Sequence, residues 1–220
     1  MKSEDPFFFS VVSHINEDYK KMLFMFQDSI KTSGIKLKHN LLETGMQGGD
    51  WQSETYLKNV YQKLVITHTK LKEGKRVVCS DVDIIFYRDF VPLIEKNNDL
   101  DIIFSVDHQF FCTGFFYVRP TPETIKLFDY TMPIKKWTGD QGDQGYINYK
   151  LADMQDEFKD LKIGFMHPSV APYGKYIFDE EKEIKNPYLA HFNWTVGTKE
   201  KIQKMEKYKN TYRHEICTLQ

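Results

Sequence analysis

Two aspartates, Asp81 and Asp83, follow an apolar run within the segment RVVCSDVDIIF, residues 76–86. β-Branched apolar runs of this length, bounded by polar residues, are typical of an inner strand of a sheet. In extended backbone, side chains at positions i and i+2 point to the same side, so the two carboxylates repel each other unless a cation lies between them. A hard divalent cation such as Mg²⁺ or Mn²⁺ prefers such oxygen ligands. The segment therefore indicates an Asp-x-Asp metal site at a strand end.

A competing interpretation is that the same two aspartates only end a strand and begin a turn. Three-letter motifs match many sequences by chance, so the pair alone does not separate the two interpretations. The decision depends on the elements that position the pair and on the other residues that could do chemistry.

Those elements alternate between strands and helices. A strand at 7–12 precedes a helix that Asp18 caps, and a strand at 35–44 precedes a helix from Ser53 to Gly74, which leads into the Asp-x-Asp strand. The same periodicities continue downstream, with strands at 101–106, 110–119 and 161–166 and helices at 91–96, from 120 and from Thr198. Such alternation predicts an α/β fold with a mostly parallel sheet flanked by helices.

Composition limits the class of protein. The chain has 220 residues, 41% of them hydrophobic, which predicts one globular domain, 1–220, without repeats or a linker. The 30 Lys and Arg nearly balance the 31 Asp and Glu, so net charge gives no sign of a nucleic-acid partner.

Cysteine usage and hydropathy bear on the compartment. The three cysteines, Cys79, Cys112 and Cys217, form no C-x-x-C pair, which favours a reducing environment. We find neither a signal peptide at the start nor an apolar stretch long enough to span a membrane. These features predict a cytoplasmic enzyme of a bacterium or a large virus (in the host cytoplasm if viral), or one domain of a larger protein.

Four further motifs accompany the Asp-x-Asp pair in a fixed order. They are Lys63 with the LKEG run at 71–74, the TGFFYVRP run at 113–120, Asp143-Gln144 followed by Asn148, and His191 followed by Asn193, Gly197 and Lys199. In order and spacing, from about residue 7 to about residue 212, the chain resembles the nucleotide-diphospho-sugar transferases, which are glycosyltransferases of the GT-A fold. Four agreeing motifs are far more specific than any one of them.

The resemblance implies a GT-A (Rossmann-like) domain with a nucleotide-binding half at about 1–106 and an acceptor half at about 107–220. It implies metal-dependent transfer of a sugar from a nucleoside-diphosphate donor, a UDP-sugar, to an acceptor hydroxyl of a glycan or glycoprotein. It favours retention over inversion at the anomeric carbon.

The resemblance also implies a metal site. Asp81, Asp83 and His191 would hold Mn²⁺ or Mg²⁺, which neutralises the departing diphosphate as a Lewis acid. Asp81 would in addition contact the ribose of the donor. A histidine at the end of an apolar strand is more often structural, but the residues that follow His191 favour its role as a ligand.

Other residues are implied to bind the donor. Lys199, with Lys201 as the alternative, would reach the diphosphate, and Gly197 would let the backbone approach the phosphates. Lys63 would contact the nucleotide or sugar, or lie on the surface beside an apolar stripe. The loop after the first strand, with Ser10, Val12 and His14, would form the base pocket, because open α/β sheets bind ligands beyond the carboxyl ends of their strands.

The reacting sugar is assigned to an acidic, glycine-rich stretch. Asp143 and Gln144 would bind its hydroxyls, stabilise the anomeric centre or take the acceptor proton. Because Gly-Asp-Gln occurs twice, Asp140 is an alternative, and the position of Asn148 favours the second pair. Asp107, at a strand end, would help to form the acceptor side.

Two other functions fit parts of the pattern. Haloacid-dehalogenase-type phosphatases also place Asp-x-Asp after an apolar strand, although usually near the N-terminus. A non-catalytic module that keeps nucleotide-sugar binding without turnover is the second alternative.

Overall fold

The computed structural model describes residues 4–13, 16–45, 53–131, 142–178, 184 and 186–209. The strands in these ranges are β1 (Phe7–Val12), β2 (His39–Glu43), β3 (Val77–Ser80), β4 (Ile84–Phe86), β5 (Ile102–Asp107), β6 (Phe110–Val118), β7 (Ile163–Phe165) and β8 (Leu189–His191). The helices are α1 (Glu17–Thr32), α2 (Glu54–Lys72), α3 (Val91–Lys96), α4 (Pro122–Phe128), α5 (Gly142–Asp153), α6 (Gly174–Phe178) and α7 (Thr198–Lys209).

Within the described ranges, six strands form a central sheet in the order β2-β1-β3-β6-β5-β7. The pairs β1–β2, β1–β3 and β5–β7 are parallel, and β6 runs antiparallel to both β3 and β5. This arrangement confirms the prediction of an α/β fold with a mostly parallel sheet. The single reversed strand, β6, crosses the middle of the sheet and brings Gly114 and Thr113 to the end of β3.

The sheet has an apolar cluster on each face, because neighbouring strand residues point to opposite sides. Phe8 and Val78 belong to the cluster that packs under α1 and α7, whereas Phe9 and Cys79 belong to the cluster under α2, α4 and α5. Such two-sided burial explains why β1 and β3 are continuous apolar runs.

A separate two-stranded sheet, formed by β4 and β8, brings the predicted metal-site residues together. β4 pairs antiparallel with β8 in a register that sets Ile84 opposite His191. A histidine 108 residues after Asp83 in the chain thereby lies next to the Asp-x-Asp pair. The pairing of β4 with β8 could not be predicted from the sequence, because three-residue strands carry almost no periodicity.

Some predicted boundaries were wrong. Asn16, not Asp18, caps α1, because its side-chain oxygen accepts the backbone N–H of Tyr19 at 2.8 Å. The second strand begins at His39 rather than at residue 35. The 76–86 segment is two strands, and both aspartates lie in the link between them. No helix among the described residues combines the length and the apolar character that crossing a bilayer requires.

Candidate active site

The link between β3 and β4 holds the two aspartates by backbone hydrogen bonds on both sides. The N–H of Asp81 donates to the carbonyl of Gly114 at 2.7 Å, and the carbonyl of Asp83 accepts from the N–H of Phe192 at 2.9 Å. Asp83 is buried, with 8% of its surface exposed, whereas the side chain of Asp81 is 33% exposed. The pair is therefore fixed in place with one carboxylate facing solvent.

His191 completes a three-residue group at this position. Its Nε2 lies 3.2 Å from Oδ1 of Asp83 and 3.8 Å from Oδ2 of Asp81. One ligand atom from each of the three residues lies within 4.8 Å of the others, which is the spacing of a possible cation site. The sequence-based metal-site residues are thus together in space.

Two neighbours orient the His191 ring. Sγ of Cys112 lies 3.6 Å from Nδ1, so Nδ1–H can point to the sulfur while Nε2 faces the carboxylates. Gly114 lies directly against the ring, and a Cβ at that position would be 2.2 Å from Cε1 of His191. Only glycine leaves the ring room here, which explains the glycine inside an otherwise aromatic strand.

Lys201 lies on the other side of Asp83. Its Nζ is 2.7 Å from Oδ2 of Asp83. Burial alone would raise the pKa of Asp83, but the Lys201 ammonium and the His191 imidazole outweigh it and hold that pKa well below its usual value. Burial would likewise lower the pKa of His191, and the carboxylate of Asp83 raises it well above the ordinary value.

A buried lysine joins Asp81 to α5, the helix that carries the predicted catalytic residues Asp143 and Gln144. Nζ of Lys63, on α2, lies 2.9 Å from Oδ1 of Asp81 and 2.7 Å from Oδ2 of Asp143. Burial lowers the pKa of Lys63, but Asp143 and Asp81 raise it well above the usual value. Lys63 is therefore a buried cation shared by two carboxylates, not a surface lysine. We call Asp81, Asp83, His191, Lys63 and Lys201 the cation cluster.

The first turn of α5 places the other candidates. Asp143 is buried, and the side chain of Gln144 donates to Oδ2 of Asp107 at 3.4 Å. In the sequence, the position of Asn148 favours Asp143 over Asp140. The side-chain amide of Asn148 donates to the carbonyl of Phe111 at 2.8 Å, and its side-chain oxygen accepts the N–H of Phe111 at 3.1 Å. Asn148 thus fastens α5 to β6. Asp140 and His14 lie outside the described residues.

The remaining donor candidates are more scattered. Ser10 is fully buried within β1, where its hydroxyl lies 3.0 Å from Nε2 of His39, and Val12 is buried at the end of the same strand. Gly197 has a φ of +90°, a backbone conformation suited to glycine. Lys199 is exposed on the first turn of α7, whereas Lys201 contacts Asp83.

Sequence reasoning missed two tyrosines at the edge of the cluster. Burial raises the pKa of Tyr19, on the first turn of α1, and Asp83 and Asp81 add to that rise. Burial also raises the pKa of Tyr56, on the first turn of α2, with Asp143 as the next cause. Both side chains are therefore within electrostatic range of the carboxylates of the site. A tyrosine in a first helical turn carries no motif, so the sequence offered no signal.

Solved structures similar to this fold are glycosyltransferases. One, involved in the glycosylation of the major capsid of PBCV-1, has a TM-score of 0.59 and 12% identity, over 92% of this chain and 100% of that one. Mouse xyloside xylosyltransferase 1 has a TM-score of 0.59 and 9% identity, over 88% and 99%. The galactosyltransferase LgtC, in complex with donor and acceptor sugar analogues, has a TM-score of 0.51 and 10% identity, over 93% and 95%. At these identities the likeness establishes the fold, which is GT-A.

The family follows from the sequence. A model of the nucleotide-diphospho-sugar transferase family matches residues 19–205, and the chain belongs to that family. The UDP-galactose:fucoside alpha-3-galactosyltransferase of Dictyostelium discoideum is 24% identical over 177 residues. That match covers 67% of this chain but only 27% of the larger protein. Neither the phosphatase nor the non-catalytic module is favoured by these comparisons.

Proposed function

We propose that this protein is a metal-dependent glycosyltransferase that moves a sugar from a UDP-sugar to a hydroxyl of a glycan or glycoprotein. The observation that carries the proposal is the cation cluster, in which Asp81, Asp83 and His191 face one another beside two lysines. A nucleoside diphosphate leaves with negative charge, and this arrangement supplies both a cation site and ammonium groups to neutralise it.

The three residues fit a hard divalent cation. Two carboxylates and a neutral imidazole nitrogen are suitable ligands for Mn²⁺ or Mg²⁺, and the Cys112 sulfur and Gly114 keep Nε2 of His191 directed at them. The ion, when bound, would act as a Lewis acid on the diphosphate. Asp83 and His191 are the more buried ligands, and the more exposed Asp81 is free to contact the donor ribose as well.

The lysines have separate roles in this proposal. Lys201, already beside Asp83, would direct its ammonium to the diphosphate once a cation occupied that carboxylate, with Lys199 and Gly197, whose φ is +90°, on the solvent side. Lys63 stays in place, because its ammonium is buried between Asp81 and Asp143. It holds Asp81 at the right orientation and adds positive charge under the donor.

Asp143 and Gln144 are proposed to face the reacting sugar, with Asp140 as the alternative. Asp143 is buried, and its Oδ2 is already held by Nζ of Lys63 at 2.7 Å. It therefore binds sugar hydroxyls or stabilises positive charge at the anomeric carbon, rather than acting as an inverting base. This favours retention, with an oxygen of the departing diphosphate taking the acceptor proton. The configuration of the product, read by proton NMR at the anomeric position, tests that assignment.

The nucleotide base is proposed to lie beyond the carboxyl end of β1, between the first turns of α1 and α2. Val12 ends the strand there, Ser10 is buried two residues earlier, and His14, outside the described residues, keeps its predicted place in this pocket. Tyr19 and Tyr56 border this position. Uracil is the preferred base because the curated relative uses UDP-galactose. The halves 1–106 and 107–220 then bind donor and acceptor, and the Lys63–Asp143 ion pair joins them.

Thermal unfolding with nucleotides tests the proposal first. UDP with Mn²⁺ should stabilise the protein, whereas UDP with EDTA and GDP with Mn²⁺ should have much smaller effects. At 100 times its dissociation constant a ligand adds roughly 2.7 kcal/mol of stability, which is a visible shift. In Asp83→Asn the shift with UDP and Mn²⁺ should vanish, and it should persist in Asp99→Asn, an exposed control.

Three other results would redirect the proposal. A full UDP–Mn²⁺ shift in Asp83→Asn would remove the metal assignment. Stabilisation by phosphate mimics with Mg²⁺ but by no nucleotide would favour a phosphatase. Tight UDP binding with neither transfer nor hydrolysis of any UDP-sugar would favour the non-catalytic module.

A further inference from the structure

The link between β8 and α7 carries an exposed tryptophan beside the cation cluster. It begins directly after His191 and ends four residues before Lys201. Within it, 59% of the surface of Trp194 is exposed, although tryptophan is usually largely buried. An exposed aromatic ring between two residues of the cluster calls for an explanation other than packing.

Trp194 is held rigidly despite its exposure. Its backbone has a φ of +58°, a left-handed conformation that bulky residues seldom adopt. The indole Nε1–H donates to Oδ1 of Asp107 at 2.6 Å, and Nζ of Lys175 lies 5.6 Å from the ring centre. A strained backbone, a short charge-assisted hydrogen bond and a cation at the ring fix its orientation.

Asp107 connects the tryptophan to the reacting centre. Its Oδ2 accepts hydrogen bonds from Asn193, at 3.1 Å, and from Gln144, at 3.4 Å. Gln144 follows Asp143, which shares Lys63 with Asp81. Side-chain hydrogen bonds therefore connect the indole ring to Gln144, and the next residue along the chain, Asp143, is ion-paired to the lysine that also holds Asp81. We call Asp107, Asn193 and Trp194 the acceptor edge.

We propose that Trp194 is the platform on which a pyranose ring of the acceptor stacks, so that its hydroxyl reaches the donor sugar near Gln144. One face of a pyranose presents C–H groups, which pack on an indole ring, and a rigid aromatic loses little entropy on binding. A carboxylate has about four acceptor positions, and three donors occupy those of Asp107, which leaves one for a sugar hydroxyl. The proposal rests on the glycosyl transfer proposed above.

Binding of simple glycosides tests the platform without requiring turnover. The probes are methyl α- and β-glycosides of galactose, glucose, mannose, fucose and xylose, measured by saturation-transfer NMR in the presence of UDP and diamagnetic Mg²⁺. At least one should receive saturation from the wild-type protein. In Trp194→Ala that signal should fall at least about tenfold, and in Trp194→Phe it should be partly kept. Phe24→Ala, which removes an equally exposed aromatic from α1, should match the wild type.

The outcomes separate this proposal from the donor-site proposal. UDP–Mn²⁺ stabilisation together with an equal glycoside signal in wild type and Trp194→Ala overturns the platform and leaves the donor site standing. No signal from any glycoside with the wild type also overturns it, and would favour a protein surface as the partner of Trp194. Where a glycoside is an acceptor, Trp194→Ala should raise the acceptor KM about tenfold and the donor KM less than about twofold.

Discussion

The cation cluster and the acceptor edge lie side by side but are built by different means. Backbone hydrogen bonds with Gly114 of β6 and with Phe192, directly after β8, fix Asp81 and Asp83, and strand pairing sets His191 against Ile84. Asp107, Asn193 and Trp194 are instead held to one another by side-chain hydrogen bonds at the surface. The first region is mostly buried, and the second is the link that carries Asn193 and Trp194, fastened to Asp107 at the end of β5.

The difference has a chemical reason. The diphosphate and the divalent cation of a nucleoside-diphosphate donor keep the same geometry whichever sugar is transferred. Their binding needs ligand atoms placed to within a fraction of an ångström. Acceptors vary, and loops on a rigid scaffold tolerate change. Damage to the cation cluster should therefore abolish donor binding, whereas damage to the acceptor edge should change acceptor affinity and leave donor binding in place. Alanine substitutions at Gly114, beside the cation cluster, and at Gly174, beside the acceptor edge, test that contrast.

Gly114→Ala should have the largest effect. The new Cβ would lie 2.2 Å from Cε1 of His191, inside contact distance, so the ring must leave its position between the carboxylates and Cys112. Outer-shell changes at metal sites commonly cost 10- to 100-fold in metal affinity, so we expect a loss of about 100-fold in Mn²⁺-dependent UDP binding. Titration of the UDP-induced thermal shift with Mn²⁺ measures it.

Gly164→Ala is the matched control for that variant. It also adds a Cβ within a strand, here against the flexible end of Leu100, at the far edge of the sheet. It should lower stability but keep the response to UDP and Mn²⁺. An unchanged Mn²⁺ affinity in Gly114→Ala would mean that His191 is not a metal ligand.

Gly174→Ala should affect the acceptor edge instead. Its Cβ would lie 1.9 Å from the backbone oxygen of Asn193, and the Gly174 N–H donates to the Asn193 side chain at 2.7 Å. The link that carries Trp194 must shift, so we expect the acceptor KM to rise about tenfold, roughly 1.4 kcal/mol of transition-state stabilisation. Steady-state kinetics with both substrates varied would show it. Equal losses in UDP–Mn²⁺ binding for Gly114→Ala and Gly174→Ala would remove the distinction between the two regions.

The sequence predicted the cation cluster better than the acceptor edge, for reasons visible in particular residues. Asp81 and Asp83 form a motif whose residue types are chemically restricted, and the family resemblance, rather than the residues alone, placed His191 with them. The preference for Lys199 over Lys201 stays untested, but only Lys201 lies against Asp83. The two differ by about half a helical turn, a distinction that needs the orientation of α7 and not its sequence.

The acceptor edge depends on tertiary contacts that leave no pattern in the chain. The sequence placed Asp107 on the acceptor side but not its partners Asn193 and Trp194, which lie 86 and 87 positions away. The fold class followed from alternating periodicities, whereas the short strands β4 and β8 and the reversal of β6 did not. Those three features are what bring His191 and Gly114 to the aspartates.

The final prediction concerns the protonation of His39. It should affect the cation cluster and the acceptor edge equally, because it destabilises the sheet that supports both. His39, on β2, packs against the rings of Phe8 and Phe26, and burial lowers its pKa to about 4. The folded state thus binds its proton more weakly than the unfolded state, whose histidine titrates near 6.5. The stabilisation is complete above about pH 6.5 and is lost as the pH falls towards 4, by roughly 2 kcal/mol for a partly buried ring. A fall in pH over this range should therefore destabilise the whole sheet and not one part of it.

His39→Gln removes this titration while keeping a polar group near the hydroxyl of Ser10. Urea unfolding at pH 7 and pH 4.5 should show that the wild type loses about 2 kcal/mol more than the variant over this interval, because the other acid-sensitive groups are common to both and cancel. Parallel pH dependence in the two proteins would mean that His39 is accessible to protons in the folded state. A different result would be that the wild type loses UDP–Mn²⁺ binding at a pH well above the one at which its sheet unfolds. That result would mean that the geometry of the cation cluster depends on its own ion pairs and not on the sheet.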